Sequence, residues 1–143
     1  MRRAVLHAAI LGFAVCVGPH LAAAQQPPIC LTQVLREDLG GLLGQETIMA
    51  VATIQPGGTI ARHTHPYGHE ISYVVAGGLT LEIDGQDPRT LKPGDGFYVQ
   101  PGTPHSLKNE TSDAAQLVVV RITAKNLPIA VPFARSASCP QRP

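Results

Sequence analysis

Three histidines and one glutamate in this chain are spaced so that they could share one ion. His63 and His65 are two residues apart. On a β-strand successive side chains alternate sides, so both would point the same way. Glu70 follows the stretch Pro66-Tyr67-Gly68-His69, a turn that would bring the next strand alongside. His105 lies far downstream, directly after Pro101-Gly102-Thr103-Pro104. Three imidazoles and one carboxylate suit one divalent transition metal (Fe, Mn, Ni, Cu, Co or Zn) and do not choose among them. Such an ion polarises a small molecule or opens redox chemistry to it. Glu70 is also a candidate proton carrier, and Tyr67, in the turn between ligands, is a candidate catalytic residue or a packing residue, with Tyr67 or Tyr98 the groups that would move protons in a non-redox reaction.

The same alternation sorts the neighbours. His69 directly precedes Glu70 and should face away from the ion, becoming a ligand only if the turn differs. Ser72 and Val74 share the face of Glu70, and Leu107 shares that of His105. For residues 96–99 two registers fit, with either Phe97 and Val99 or Gly96 and Tyr98 inward. Arg62 and Thr64 should point away. A substrate carrying a carboxylate would call for a cationic clamp, and with Arg62 turned outward Arg121 is the remaining nearby-strand candidate. Asp95 reads as a turn residue. No G-x-S-x-G elbow, Walker loop or dinucleotide fingerprint is present.

The elements that must position these groups read as β. Ile48 to Ile54 is an apolar run with β-branched residues, ended by Pro56-Gly57-Gly58. Thr59–His65, Glu70–Ala76 and the alternating Leu79–Ile83 follow, the last ended by the hairpin signal Asp84-Gly85. Further short strands fall at 88–92, 96–100, 104–108 and 115–123, with Pro93-Gly94 and Pro101-Gly102 between them. Short strands with frequent Gly and Pro turns predict a sandwich or barrel. Residues 29–46 have partly helical spacing interrupted by Gly40, Gly41 and Gly44, so a short helical turn or an irregular edge segment fits. Residues 124–143 have no periodicity and read as a tail over the surface.

Two segments carry a family resemblance. Gly57-x5-His63-x-His65-x4-Glu70-x6-Gly77 resembles the first motif of the cupin superfamily at every fixed position. Gly94-x5-Gln100-x-Gly102-x2-His105-x3-Asn109 resembles the second, with Gln100 standing where the family usually has proline. The resemblance spans about residues 46–123 and is of the small bacterial, quercetin-dioxygenase-like kind. It implies an all-β single domain, a double-stranded β-helix or jelly-roll barrel, with metal ligands His63, His65, Glu70 and His105. It also implies a small-molecule ligand and, commonly, a homodimer. Three functions are compatible: a small-molecule dioxygenase; a non-redox isomerase or lyase acting on a sugar acid or small carboxylate; and a non-catalytic protein that captures a metal or small ligand.

Composition bounds the rest. The chain has 143 residues, enough for one domain. Arg2-Arg3, the apolar run from Ala4 to Gly18, and Ala22-Ala23-Ala24 predict a secretory signal peptide cleaved after Ala24 rather than a retained anchor. The expected organisation is a signal peptide at 1–24, an N-terminal segment at 25–45, the barrel at 46–123 and a tail at 124–143. The expected location is the periplasm or the exterior. Cleavage removes two of the 11 basic residues and none of the 10 acidic ones, shifting the net charge from +1 to −1. No basic face remains, so neither nucleic acid nor a membrane is an expected partner of the processed protein. Cys30 and Cys139 would remain, either bridged, which an oxidising compartment favours, or as two separate thiols.

Overall fold

A computed structural model describes residues 28–131. Residues 1–27, which include the expected signal peptide, and residues 132–143, which include Cys139, lie outside the described residues. Nine strands form, and no helix is present among the described residues: β1 Ile29–Asp38, β2 Gln45–Ile54, β3 Thr59–His63, β4 Gly68–Ala76, β5 Leu79–Ile83, β6 Arg89–Leu91, β7 Gly96–Val99, β8 His105–Lys108 and β9 Ala115–Ala124. They make two antiparallel sheets, one ordered β1-β2-β9-β4-β7 and the other β3-β8-β5-β6. The architecture is the all-β, double-stranded β-helix expected from the motifs.

Period-two patterning decides which side of each strand is buried. Along β2, Glu46, Ile48, Ala50, Ala52 and Ile54 are buried and the intervening residues are not. Along β4 the buried set is Gly68, Glu70, Ser72 and Val74. Phe97 and Val99 are buried while Tyr98 is half exposed, which settles the two registers left open for β7. The apolar cluster between the sheets includes Ile54, Val74, Leu79, Leu81, Leu91, Leu107 and Leu117. Each such side chain, fully withdrawn from water, stabilises the fold by about 1.5–3 kcal/mol.

Two tight approaches hold the sheet in register. Gly77 has φ 71° and its α-carbon faces Ala115, where a built Cβ would lie 2.6 Å from the Ala115 α-carbon. A Cβ on Gly68 would lie 2.7 Å from the Thr123 Cβ. Neither position has room for a side chain.

One expectation needs correction. Residues 29–38 are not helical; they lie at the sheet edge, as one alternative had it, but as a regular ten-residue strand paired with β2 from Ile29↔Ile54 to Asp38↔Glu46, irregular only at a bulge between Gln33 and Leu35. Most of β1 is exposed on both faces, so burial imposed no alternation on its sequence and the leucine spacing there misleads. The start of the tail also differs from a surface run. Val131 pairs with Thr64 as an isolated bridge, with N···O distances of 2.7 and 2.9 Å. Residues 125–131 therefore fold back onto the end of β3.

Candidate metal centre

The inner faces of the two sheets bring the four ligand candidates together. Glu70 comes from β4, in a row with Ile48, Arg121 and Val99 across β2, β9, β4 and β7. His63 ends β3 opposite His105, which begins β8. His65 lies two residues beyond His63, and both are buried, as parity requires. One donor atom from each of His63, His65, Glu70 and His105 lies within 4.8 Å of all the others. All four residues are at most 9% exposed.

The tautomers follow from the hydrogen bonds. His63 Nδ1 donates to Ala61 O at 2.8 Å and His105 Nδ1 to Thr103 O at 3.1 Å. His65 Nδ1 donates to Ile129 O, from the returning tail. A carbonyl only accepts, so each Nδ1 carries a proton and each Nε2 is left with a lone pair aimed inward. His63 Nε2 and His65 Nε2 stand 3.2 Å apart, and His65 Nε2 is 2.9 Å from Glu70 Oε2. His105 Nε2 is buried with no partner among the described residues. Three lone pairs and a carboxylate converging out of water repel one another unless a cation, proton or metal, sits among them. The donor set therefore fits a divalent metal ion.

Electrostatics point the same way. Burial and the adjacent His105 push the His63 imidazole down to about 4. Burial also lowers His105, partly opposed by Glu70. Burial alone would raise the Glu70 carboxyl, but in the metal-free site a proton on His65 Nε2, donated to the carboxylate and displaced by a metal, and the Arg121 charge more than offset this and hold the group at about 2. His63 and His105 are thus neutral and Glu70 ionised at neutral pH, the states in which they bind a metal.

Ser72 and Arg121 complete the surroundings of Glu70. Ser72 Oγ donates to Glu70 Oε1 at 3.2 Å. Arg121 donates from Nε at 3.1 Å and approaches with Nη2 at 2.9 Å, both to Glu70 Oε2. Arg121 had stood out only as a clamp candidate, and its pairing with Glu70 was missed. The available signal was parity, since Arg121 shares the inner face of β9 with Leu117 and Val119. The Ile129 carbonyl was missed because a main-chain group leaves no mark in sequence.

The remaining candidates fall outside the cluster. His69 faces outward, its Nδ1 2.6 Å from Tyr98 Oη with the rings stacked. Arg62 pairs with Asp84 on the outside. Tyr67 is half exposed in the turn before β4; its carbonyl accepts from Thr123 Oγ1 at 3.2 Å and Ala124 N at 3.1 Å. Asp95 caps its turn by accepting from Lys92 N at 2.8 Å. Asn109, the last position of the second motif, is fully buried and structural: Nδ2 donates to Ile54 O and Asp113 O, and Oδ1 accepts from Thr111 N and Oγ1.

Comparison with known proteins agrees with this geometry. The family described as Cupin domain matches residues 50–121. Protein SchB of Streptomyces halstedii is 36% identical over 70 residues, covering 49% of this chain and 50% of that protein. Dimethylsulfoniopropionate lyase DddQ of Ruegeria pomeroyi is 29% identical over 91 residues, covering 63% of this chain and 45% of the lyase. A solved structure of recombinant oxalate oxidase in complex with glycolate superposes with a TM-score of 0.59 at 26% identity, covering 76% of this chain and 56% of the oxidase. The chain spans about half the length of these curated relatives.

Proposed function

A chain matched over half its length by the cupin domain belongs to the cupin family, and on that premise we propose that it is a metal-dependent enzyme acting on a small organic molecule. The observation that carries this reading is the convergence of three imidazole lone pairs and one carboxylate in a buried site. His63, His65, Glu70 and His105 would hold one divalent ion. Once bound, the ion supplies Lewis-acid polarisation and, if redox-active, one-electron chemistry. The protein's own part is to fix the ligands through Ala61, Thr103 and Ile129 carbonyls and to exclude water with the apolar floor of Val74, Phe97, Leu107 and Val119. Glu70, held at about 2, is a weak base that would carry a proton only transiently, and Tyr67, half exposed in the turn before β4, is the candidate catalytic tyrosine.

Two reaction classes follow. The ligand set and the apolar floor suit a dioxygenase. A non-redox lyase or isomerase on a small carboxylate is supported by the lyase among the relatives and by a guanidinium beside Glu70. A binding protein without turnover is the third reading. The site is exported in this account, with Cys30 and Cys139 bridged. Loading the protein with Fe, Mn, Ni, Cu, Co and Zn in turn and offering flavonols and short carboxylates separates the classes. Oxygen uptake with product marks the dioxygenase, product without oxygen the lyase or isomerase, and substrate binding with neither the binding protein.

We also assign a homodimer to the outer face of the five-stranded sheet. There Ile71, Tyr73 and Val75 of β4 and Tyr98 of β7 are each about half exposed, on the edge-strand side of the sheet.

A further inference from the structure

Arg121 keeps Glu70 ionised, yet it is not itself a metal ligand. A guanidinium 2.9 Å from a ligating carboxylate competes with the ion for that carboxylate and repels the ion itself. Its presence calls for another role. The other arginines of the described chain are spoken for elsewhere or point outward: Arg36 makes a two-point pair with Glu46 at the rim, Arg62 pairs with Asp84, and Arg89 is exposed.

Arg121 lies on the inner face, with 13% of its side chain exposed, one row in from the rim formed by Glu46, Thr123 and Gly68. Of the five N–H donors of a guanidinium, one on Nε and one on Nη2 reach Glu70 Oε2, leaving three without an acceptor among the described residues. The side chain keeps 13% of its surface exposed, so these donors stay within reach of a ligand entering from solvent. The charge count says which. Neutral imidazoles contribute nothing, and Glu70 and Arg121 cancel, so a bound dication leaves its full charge uncompensated in a buried site. Glu46 does not offset it, since Arg36 neutralises that carboxylate. An uncompensated positive charge out of water favours an anion.

We infer that Arg121 is the specificity-determining residue of the site and that it holds the carboxylate of a small organic acid in its unused donors. The inference rests on the metal-centre reading above and names the substrate class of that site. The planar fork matches a carboxylate in two-point fashion, which an ammonium does not.

The test uses metal-loaded wild type, Arg121→Gln and Arg121→Lys, with metal content measured before any ligand is added and folding checked by near-UV circular dichroism. Glycolate and benzoate are titrated calorimetrically against their neutral counterparts, glycolamide and benzamide. Wild type is expected to bind the acids and discriminate against the amides. Arg121→Gln is expected to keep its metal and lose about 10- to 100-fold in affinity for the acids, the scale of lost charge-assisted hydrogen bonds. Arg121→Lys should recover part of that loss. Loaded wild type that binds acids and amides alike overturns the inference, whether or not the variants fold. So does Arg121→Gln that binds acids as wild type does, or one that loses the metal, which would make Arg121 a support for Glu70. Wild type that takes up no metal fails at the first step and removes the metal-centre reading together with the inference.

Discussion

At the residue scale the site is a balance between burial and pairing. His63 and Glu70 both have folded-state values below their ordinary ones, at about 4 and about 2. For the metal-free protein this fixes the direction of the pH dependence. Between about 6.5 and 4 the unfolded chain takes up a proton at His63 that the folded chain refuses, so stability falls as pH falls through that window. Glu70 adds the same sense of change lower down, since its stabilising ionised form is lost from about 4.5 toward 2. Urea denaturation of the apo protein across pH 7 to 4 should show a falling midpoint, and a His63→Leu variant a flatter profile. A midpoint independent of pH in wild type would contradict the assignment.

At the element scale, the returning tail and the Asn109 turn are the parts to test. Truncation after Asn126 removes the carbonyl that orients His65 while sparing all nine strands. Loss of such an outer partner weakens metal affinity by about 10- to 100-fold, to be read by competition with a chelating dye, while the strand signal in circular dichroism stays. Asn109→Ala strands the Ile54 and Asp113 carbonyls and should cost about 1–3 kcal/mol in denaturant unfolding. What the sequence disclosed at this scale follows burial. β2, β4 and β5 are half buried, so their alternation was plain, and His63, His65 and Glu70 followed from parity. His105 required the turn Pro101–Pro104 to be read correctly. β1 was illegible because an exposed edge constrains no face. Parity marked Arg121 as an inner-face residue, but not Glu70 as its partner, because cross-strand register between residues 51 apart is set by the whole sheet. The Cys30–Cys139 pairing and the signal segment lie outside the described residues.

At the scale of the whole molecule, two sheets enclose one buried ligand cluster, and one sheet turns an apolar outer face to solvent. If that face joins two copies, light scattering will give twice the chain mass, and the pair Ile71→Glu and Tyr73→Glu will give a folded monomer that still binds metal. A wild-type monomer at all concentrations would contradict it. The metal centre is tested most directly by elemental analysis of protein purified without chelator or affinity metal, then reconstituted, for wild type, His63→Ala and His105→Ala. One transition metal per chain in wild type, lost in both variants while the fold remains, is the predicted result. Wild type that retains none of the six metals would contradict it.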